Sequence, residues 1–176
     1  MSQEPTPRVV LIDLDAVLLG GGSLCPGVPE QLRRLAGHRV ACAAMTSMPH
    51  RTAEQLLEAW GLSRYVAVVA SVGSSRWPSP TLLGQLAPRL LRWSGPPGRV
   101  VVISDAVGVV VAGRRAGLRT VAVTDGRTSA PDLADAWPDV LAATLPDAVT
   151  AALDLTDRQD VAPSPRTADM VVTRSA

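Results

Sequence analysis

Residues 8–19 read Arg8-Val9-Val10-Leu11-Ile12-Asp13-Leu14-Asp15-Ala16-Val17-Leu18-Leu19. The four consecutive aliphatic residues Val9 to Ile12 predict a strand buried on both faces, as in a sheet covered by helices. The run stops at Asp13, and Asp15 follows two residues later. A carboxylate at the end of a buried strand is costly unless a cation or hydrogen bonds compensate it. In an open α/β sheet the carboxyl ends of the strands are where ligands bind. Two carboxylates spaced this way suit a hard divalent cation such as Mg²⁺. Asp13 is also a candidate covalent nucleophile, with Asp15 as its acid/base partner. The alternative, for an isolated Asp-x-Asp, is a strand end running into a polar turn. The other strand ends decide between the two.

Beyond this stretch, Gly20-Gly21-Gly22-Ser23 is either a flexible connector or a place where backbone approaches a phosphate. Pro26 and Pro29 open a helix with Val28, Leu32 and Leu35 on one face and Gly37 as its stop. Arg39 to Met45 is a second strand. It ends at Thr46-Ser47, hydroxyls placed to cap the next helix or to hold a phosphate oxygen. That helix starts near Pro49 and carries Ala53, Leu56, Leu57 and Trp60 before Gly61. Tyr65 to Ala70 is a third strand, and residues 71–80 form a loop. Arg76 in that loop either neutralises a phosphate or lies in solvent. Leu82, Leu86, Leu90 and Trp93 mark a helix that Pro88 is expected to kink or split.

Val100 to Ile103 is a fourth strand, ending at Ser104-Asp105. Residues 107–112 are β-branched enough to pass for a strand, whereas Arg114-Arg115 before Gly117 read as a helix C-terminus. Thr120 to Thr124 is a fifth strand, residues 125–138 a loop, Asp139 to Ala142 a short edge strand and Pro146 to Leu153 a last helix. The polar, proline-bearing segments 1–7 and 154–176 are expected to be disordered, leaving one domain over residues 8–153. Strands alternating with helices predict an α/β fold: a doubly wound, Rossmann-like, mostly parallel sheet of five to six strands. Asp13 with Asp15, Thr46 and Asp105 then stand at three strand ends that can converge on one crevice.

The chain is 47% hydrophobic and 19% charged, enough apolar material for a core. With no Phe, four Trp and one Tyr, that core must be Val, Leu and Ala. Lys and Arg number 17 against 16 acids, and no basic stripe is interleaved with aromatics, so no nucleic-acid surface is expected. Cys25 and Cys42 lack metal-site spacing and read as buried thiols. No stretch approaches the roughly 18 apolar residues of a membrane span. The N-terminus has no apolar signal core, so a cytoplasmic protein is expected.

These motifs together resemble the phosphatase branch of the haloacid dehalogenase superfamily, close to its phosphoglycolate-phosphatase-like members, over residues 8–153. Asp13-Leu14-Asp15-Ala16-Val17 is similar to the first motif, Asp-x-Asp-x-Thr/Val, with Ala16 where Gly is usual. Pro26-Gly27-Val28 looks like the family's Pro-Gly-Val helix start, and Thr46 falls at the second motif. The resemblance implies that Asp13 attacks phosphorus to form an aspartyl phosphate. Asp15 would protonate the leaving oxygen and then activate water, and Thr46, with Ser47 beside it, would bind phosphate. It also implies Mg²⁺ held by Asp13, the Asp15 carbonyl and Asp105, shielding the phosphate charge. Residues 106–116 become a helix.

Two motifs depart from the pattern. Trp77 stands where the third has Lys, leaving Arg76 as the substitute, with a different reach. The fourth usually brings two acids, but Val109 or Ser104 replaces the partner of Asp105. Only 22 residues separate Val17 from Val40, and 71–99 is also short, so no cap domain is expected. A cap shapes the pocket and excludes water in such enzymes. An uncapped site implies a macromolecular or extended phosphorylated substrate, a homo-oligomer that closes it, or weak selectivity. The reading is a Mg²⁺-dependent phosphomonoesterase. Its alternative is a degenerate member that binds a phospholigand or a protein without turnover. A phosphoacceptor receiver domain fits poorly, because its acceptor would follow the third strand, where Ser71 and Val72 stand.

Overall fold

Val10 and Ile12 point into one core and Val9 and Leu11 into another. This is the period-two alternation of a strand covered on both sides. In the computed structural model, which describes residues 8–15, 23–71, 80–94, 97–126 and 128–157, that strand is central. The elements in chain order are β1 (Arg8–Asp13), α1 (Val28–Gly37), β2 (Val40–Thr46), α2 (His50–Ala59), β3 (Val66–Ser71) and α3 (Pro80–Ser94). Then come β4 (Val100–Ser104), α4 (Val107–Arg115), β5 (Arg119–Val123), α5 (Ala130–Asp135), β6 (Val140–Ala142) and α6 (Leu145–Asp157).

The six strands pair in parallel in the order β3-β2-β1-β4-β5-β6. The chain runs outward to β3, then returns to place β4 against the other side of β1. The order reverses between β1 and β4, and this switch point opens the crevice where such sheets bind ligands. Residues of α1, α2 and α6 pack with Val10 and Ile12, and residues of α3 and α4 with Val9 and Leu11. Leu133 and Ala136, in and just after α5, pack on Val110 and Ala122.

Several local expectations change. Helix α3 runs unbroken through Pro88, so the proline does not split it. Its buried face is Leu83, Leu86, Ala87 and Leu90. The valines after Asp105 are helical because packing outweighs their β propensity. Val109 and Ala112 enter one core and Val110 another. A Cβ at Gly113 would lie 2.8 Å from Thr120 Cγ2, so α4 rests directly on β5.

The expected loop 125–138 contains α5. Ser129 Oγ caps the helix by accepting from the Asp132 N–H at 3.3 Å, and it donates to Asp132 Oδ2 at 2.6 Å. Helix α6 continues past Leu153 to Asp157, with Thr156 buried, so ordered structure extends beyond the expected boundary. The remaining terminal segments, 1–7 and 158–176, lie outside the described residues. Cys42 is buried, whereas Cys25 is only partly so. Burial pushes its thiol from 9.0 up to about 12. Among the described residues no helix is long and apolar enough to cross a membrane.

Candidate active site

Asp13 closes β1 and is fully buried. The following Leu14 is also fully buried, in the core that holds Ile12. This anchor leaves the Asp13 carboxylate at the switch point. Its Oδ1 accepts the Asp15 backbone N–H at 3.1 Å, and its Oδ2 accepts the Ser104 hydroxyl at 2.9 Å. Ser104 Oγ in turn accepts the Ala106 N–H at 3.1 Å. The serine lone pair is therefore engaged by the start of α4, and its proton is directed at Asp13. Sequence reasoning treated Ser104 only as a position lacking an acid. The available signal was a hydroxyl at a buried strand end, one residue before Asp105.

Asp15 turns the other way, toward β2. Its Oδ1 accepts the Thr46 hydroxyl at 2.5 Å and its Oδ2 the Ser47 N–H at 2.6 Å. Thr46 is fully buried and its oxygen also accepts the Met48 N–H at 3.0 Å. The expected capping of α2 by these hydroxyls does not form: the N-cap is Pro49, with no side-chain cap bond. Ser71, at the end of β3, donates to the Met48 carbonyl at 2.5 Å and secures the loop. The cradle assigned to phosphate by resemblance thus holds the Asp15 carboxylate.

Asp105 is 1% exposed, just beyond β4. Gly126, in the turn after β5, is packed against it. A Cβ at position 126 would lie 2.3 Å from Asp105 Oδ2, 2.5 Å from its Cβ and 2.8 Å from its Cγ. Gly126 was not singled out from the sequence; its only local signal is an Asp-Gly pair after a strand. Among the described residues no three His, Cys, Asp or Glu side chains group in a metal-holding arrangement. The donor set that the resemblance implies is smaller, the Asp13 and Asp105 carboxylates with the Asp15 carbonyl, and the structure places the two carboxylates buried at the ends of neighbouring strands. Mg²⁺ is commonly held by one or two carboxylates and keeps several waters. The Asp15 carboxylate, engaged by Thr46 and Ser47, is not in that set.

A family model described as HAD-hydrolase-like matches residues 75–148. The "Probable phosphatase IndB" of Dickeya dadantii is 30% identical over 132 residues, 74% of this chain and 56% of that protein. The chain is similar to members of the haloacid dehalogenase superfamily. A phosphoglycolate phosphatase of Agrobacterium fabrum is 28% identical over 119 residues, 66% of this chain and 49% of that protein. The chain therefore spans about half the length of these curated relatives. A haloacid dehalogenase-like family protein from Streptococcus pneumoniae shares the fold with a TM-score of 0.68 at 13% identity. The match covers 83% of this chain and 98% of that one.

Against the superfamily pattern, the two positions that lack a fourth-motif acid behave differently. Val109 is 3% exposed and belongs to the core beneath α3 and α4. Ser104 stays in the site as the hydrogen-bond donor to Asp13. The third motif, with Arg76 and Trp77, lies outside the described residues.

Proposed function

We propose that this chain is a Mg²⁺-dependent phosphomonoesterase acting through an aspartyl phosphate on Asp13. The observation that carries the reading is the Asp13 carboxylate, fully buried at the switch point and held by donors on both oxygens. A nucleophile fixed in this way loses little freedom on reaching the transition state. Asp13 attacks phosphorus as the bond to the leaving oxygen breaks. Asp15 delivers a proton to that oxygen, then takes one from the water that hydrolyses the aspartyl phosphate. The products are the alcohol and inorganic phosphate.

Asp13, Asp105 and the Asp15 carbonyl would hold Mg²⁺, which supplies charge neutralisation between an anionic nucleophile and an anionic substrate. Ser104 orients Asp13 through Oδ2. Thr46 and Ser47 position Asp15 before substrate arrives. When phosphate takes their donors, Asp15 is released toward the leaving group. The links between β1 and α1 (residues 14–27) and between β3 and α3 (residues 72–79) are short for a cap domain. An extended substrate or a second subunit would then complete the site.

The test is hydrolysis of an aryl phosphate with and without Mg²⁺, wild type beside Asp13→Asn. Metal-dependent turnover that falls by on the order of 10³-fold or more in the variant supports the mechanism. Equal turnover in both proteins would rule Asp13 out as nucleophile.

A further inference from the structure

A separate cleft of about 280 Å³ opens one strand beyond the Thr46 cradle. Thr46 pairs in register with Ser71, and Ser71 is on the cleft wall. His50, Gln85 and Arg89 supply the other polar groups, above Val69 and Leu86. The Ser71 hydroxyl is committed to the Met48 carbonyl, and His50 Nε2 lies 3.2 Å from Glu54 Oε1. The remaining polar side chains among the described lining residues are a guanidinium, an amide and an imidazole, and none of those residues carries a carboxylate. Such a set favours an anion, and a guanidinium matches planar carboxylate or phosphate oxygens with two parallel donors.

We propose that this cleft is a second anion subsite, receiving a negative group at the far end of the substrate whose phosphate meets Asp13. The proposal rests on the phosphatase reading and adds a substrate class to it. Two strand spacings separate β1 from β3, or about 10 Å. The ligand is therefore an extended phosphomonoester with a second phosphate or carboxylate about that far from the reacting phosphorus. A two-carbon phosphoacid is too short to reach both places. Arg89 on α3 is the specificity-determining residue, with Gln85 and His50 beside it.

The experiment uses the full chain carrying Asp13→Asn, with Mg²⁺, titrated calorimetrically with fructose 1,6-bisphosphate and with fructose 6-phosphate. The pair differs only in the second anion. The expected result is a preference for the bisphosphate of about tenfold or more, typical of one well-placed charged hydrogen-bonding group. Adding Arg89→Gln should collapse that preference toward one. Adding Arg92→Gln, which removes the same charge from an exposed position of α3 outside the cleft, should leave it intact. A preference below about twofold, or equal loss in both arginine variants, would overturn the proposal. The binding preference is measured without turnover. If it holds while wild-type protein hydrolyses no phosphomonoester, catalysis fails and the subsite stands.

Discussion

Gly126→Ala should destabilise the protein and weaken its hold on Mg²⁺, both through Asp105. The added methyl would sit 2.5 Å from Asp105 Cβ, whereas ordinary contact begins at 3.4 Å. Rotation about the Asp105 side chain can move Oδ2 away, but it cannot move Cβ, which is fixed to the backbone. Either the β4–α4 junction or the turn after β5 must shift by nearly an ångström. Overpacking of this kind costs about 1–3 kcal/mol. For a chain of this length that corresponds to a Tm lower by roughly 2–12 °C. The same shift displaces a proposed metal ligand, so the Mg²⁺ concentration giving half-maximal thermal stabilisation should rise by about tenfold. The decisive comparison is the same substitution in an Asp105→Gly background, where neither Cβ nor carboxylate remains. There Gly126→Ala should cost no more than about 0.5 kcal/mol, a coupling of ~0.5–3 kcal/mol between the two positions. An unchanged Tm for Gly126→Ala, or an equal loss in both backgrounds, would refute the reasoning.

Thr46→Val keeps the shape of a fully buried side chain but removes the donor to Asp15 and the acceptor for the Met48 N–H. It should lower stability by about 1–3 kcal/mol in denaturant melts, with Thr46→Ser, which keeps the hydroxyl, losing clearly less than Thr46→Val; a valine variant as stable as wild type would contradict this geometry. The Cys42 thiol, raised from 9.0 to about 12 by burial, keeps its proton in the folded state while the unfolded thiol ionises. Its contribution is thus fully present below pH 9 and is lost as pH rises toward 12, by at most ~1.4 kcal/mol per pH unit. Cys42→Ala should flatten this alkaline decline, and an identical slope in both proteins would show that Cys42 plays no part in it.

Much of the architecture was legible because buried strands write themselves as aliphatic runs. Val9 to Ile12, Val40 to Met45 and Val100 to Ile103 each identify a central strand, and the polar residue that ends each run marks a site position. The stretch after Asp105 was locally ambiguous, and the family resemblance, rather than its own propensity, assigned it to a helix. Helix α5 was missed although Ser129, Pro131 and Asp132 carry its start signal, because six residues are too few to show a hydrophobic period. Thr46 was correctly placed at a strand end, but its partner was not foreseeable. Sequence proximity cannot show that the carboxylate of Asp15 crosses to β2.

The sequence alone determined which residues are buried strands, which carboxylates stand at their ends and which superfamily the chain resembles. These features depend on local apolar patterning and short motifs. Only the tertiary structure decided that Ser104 donates to Asp13, that Asp15 occupies the Thr46–Ser47 cradle and that Gly126 abuts Asp105. Each joins strands or turns far apart in the chain, and parallel pairing sets the register that brings them within hydrogen-bond or contact distance.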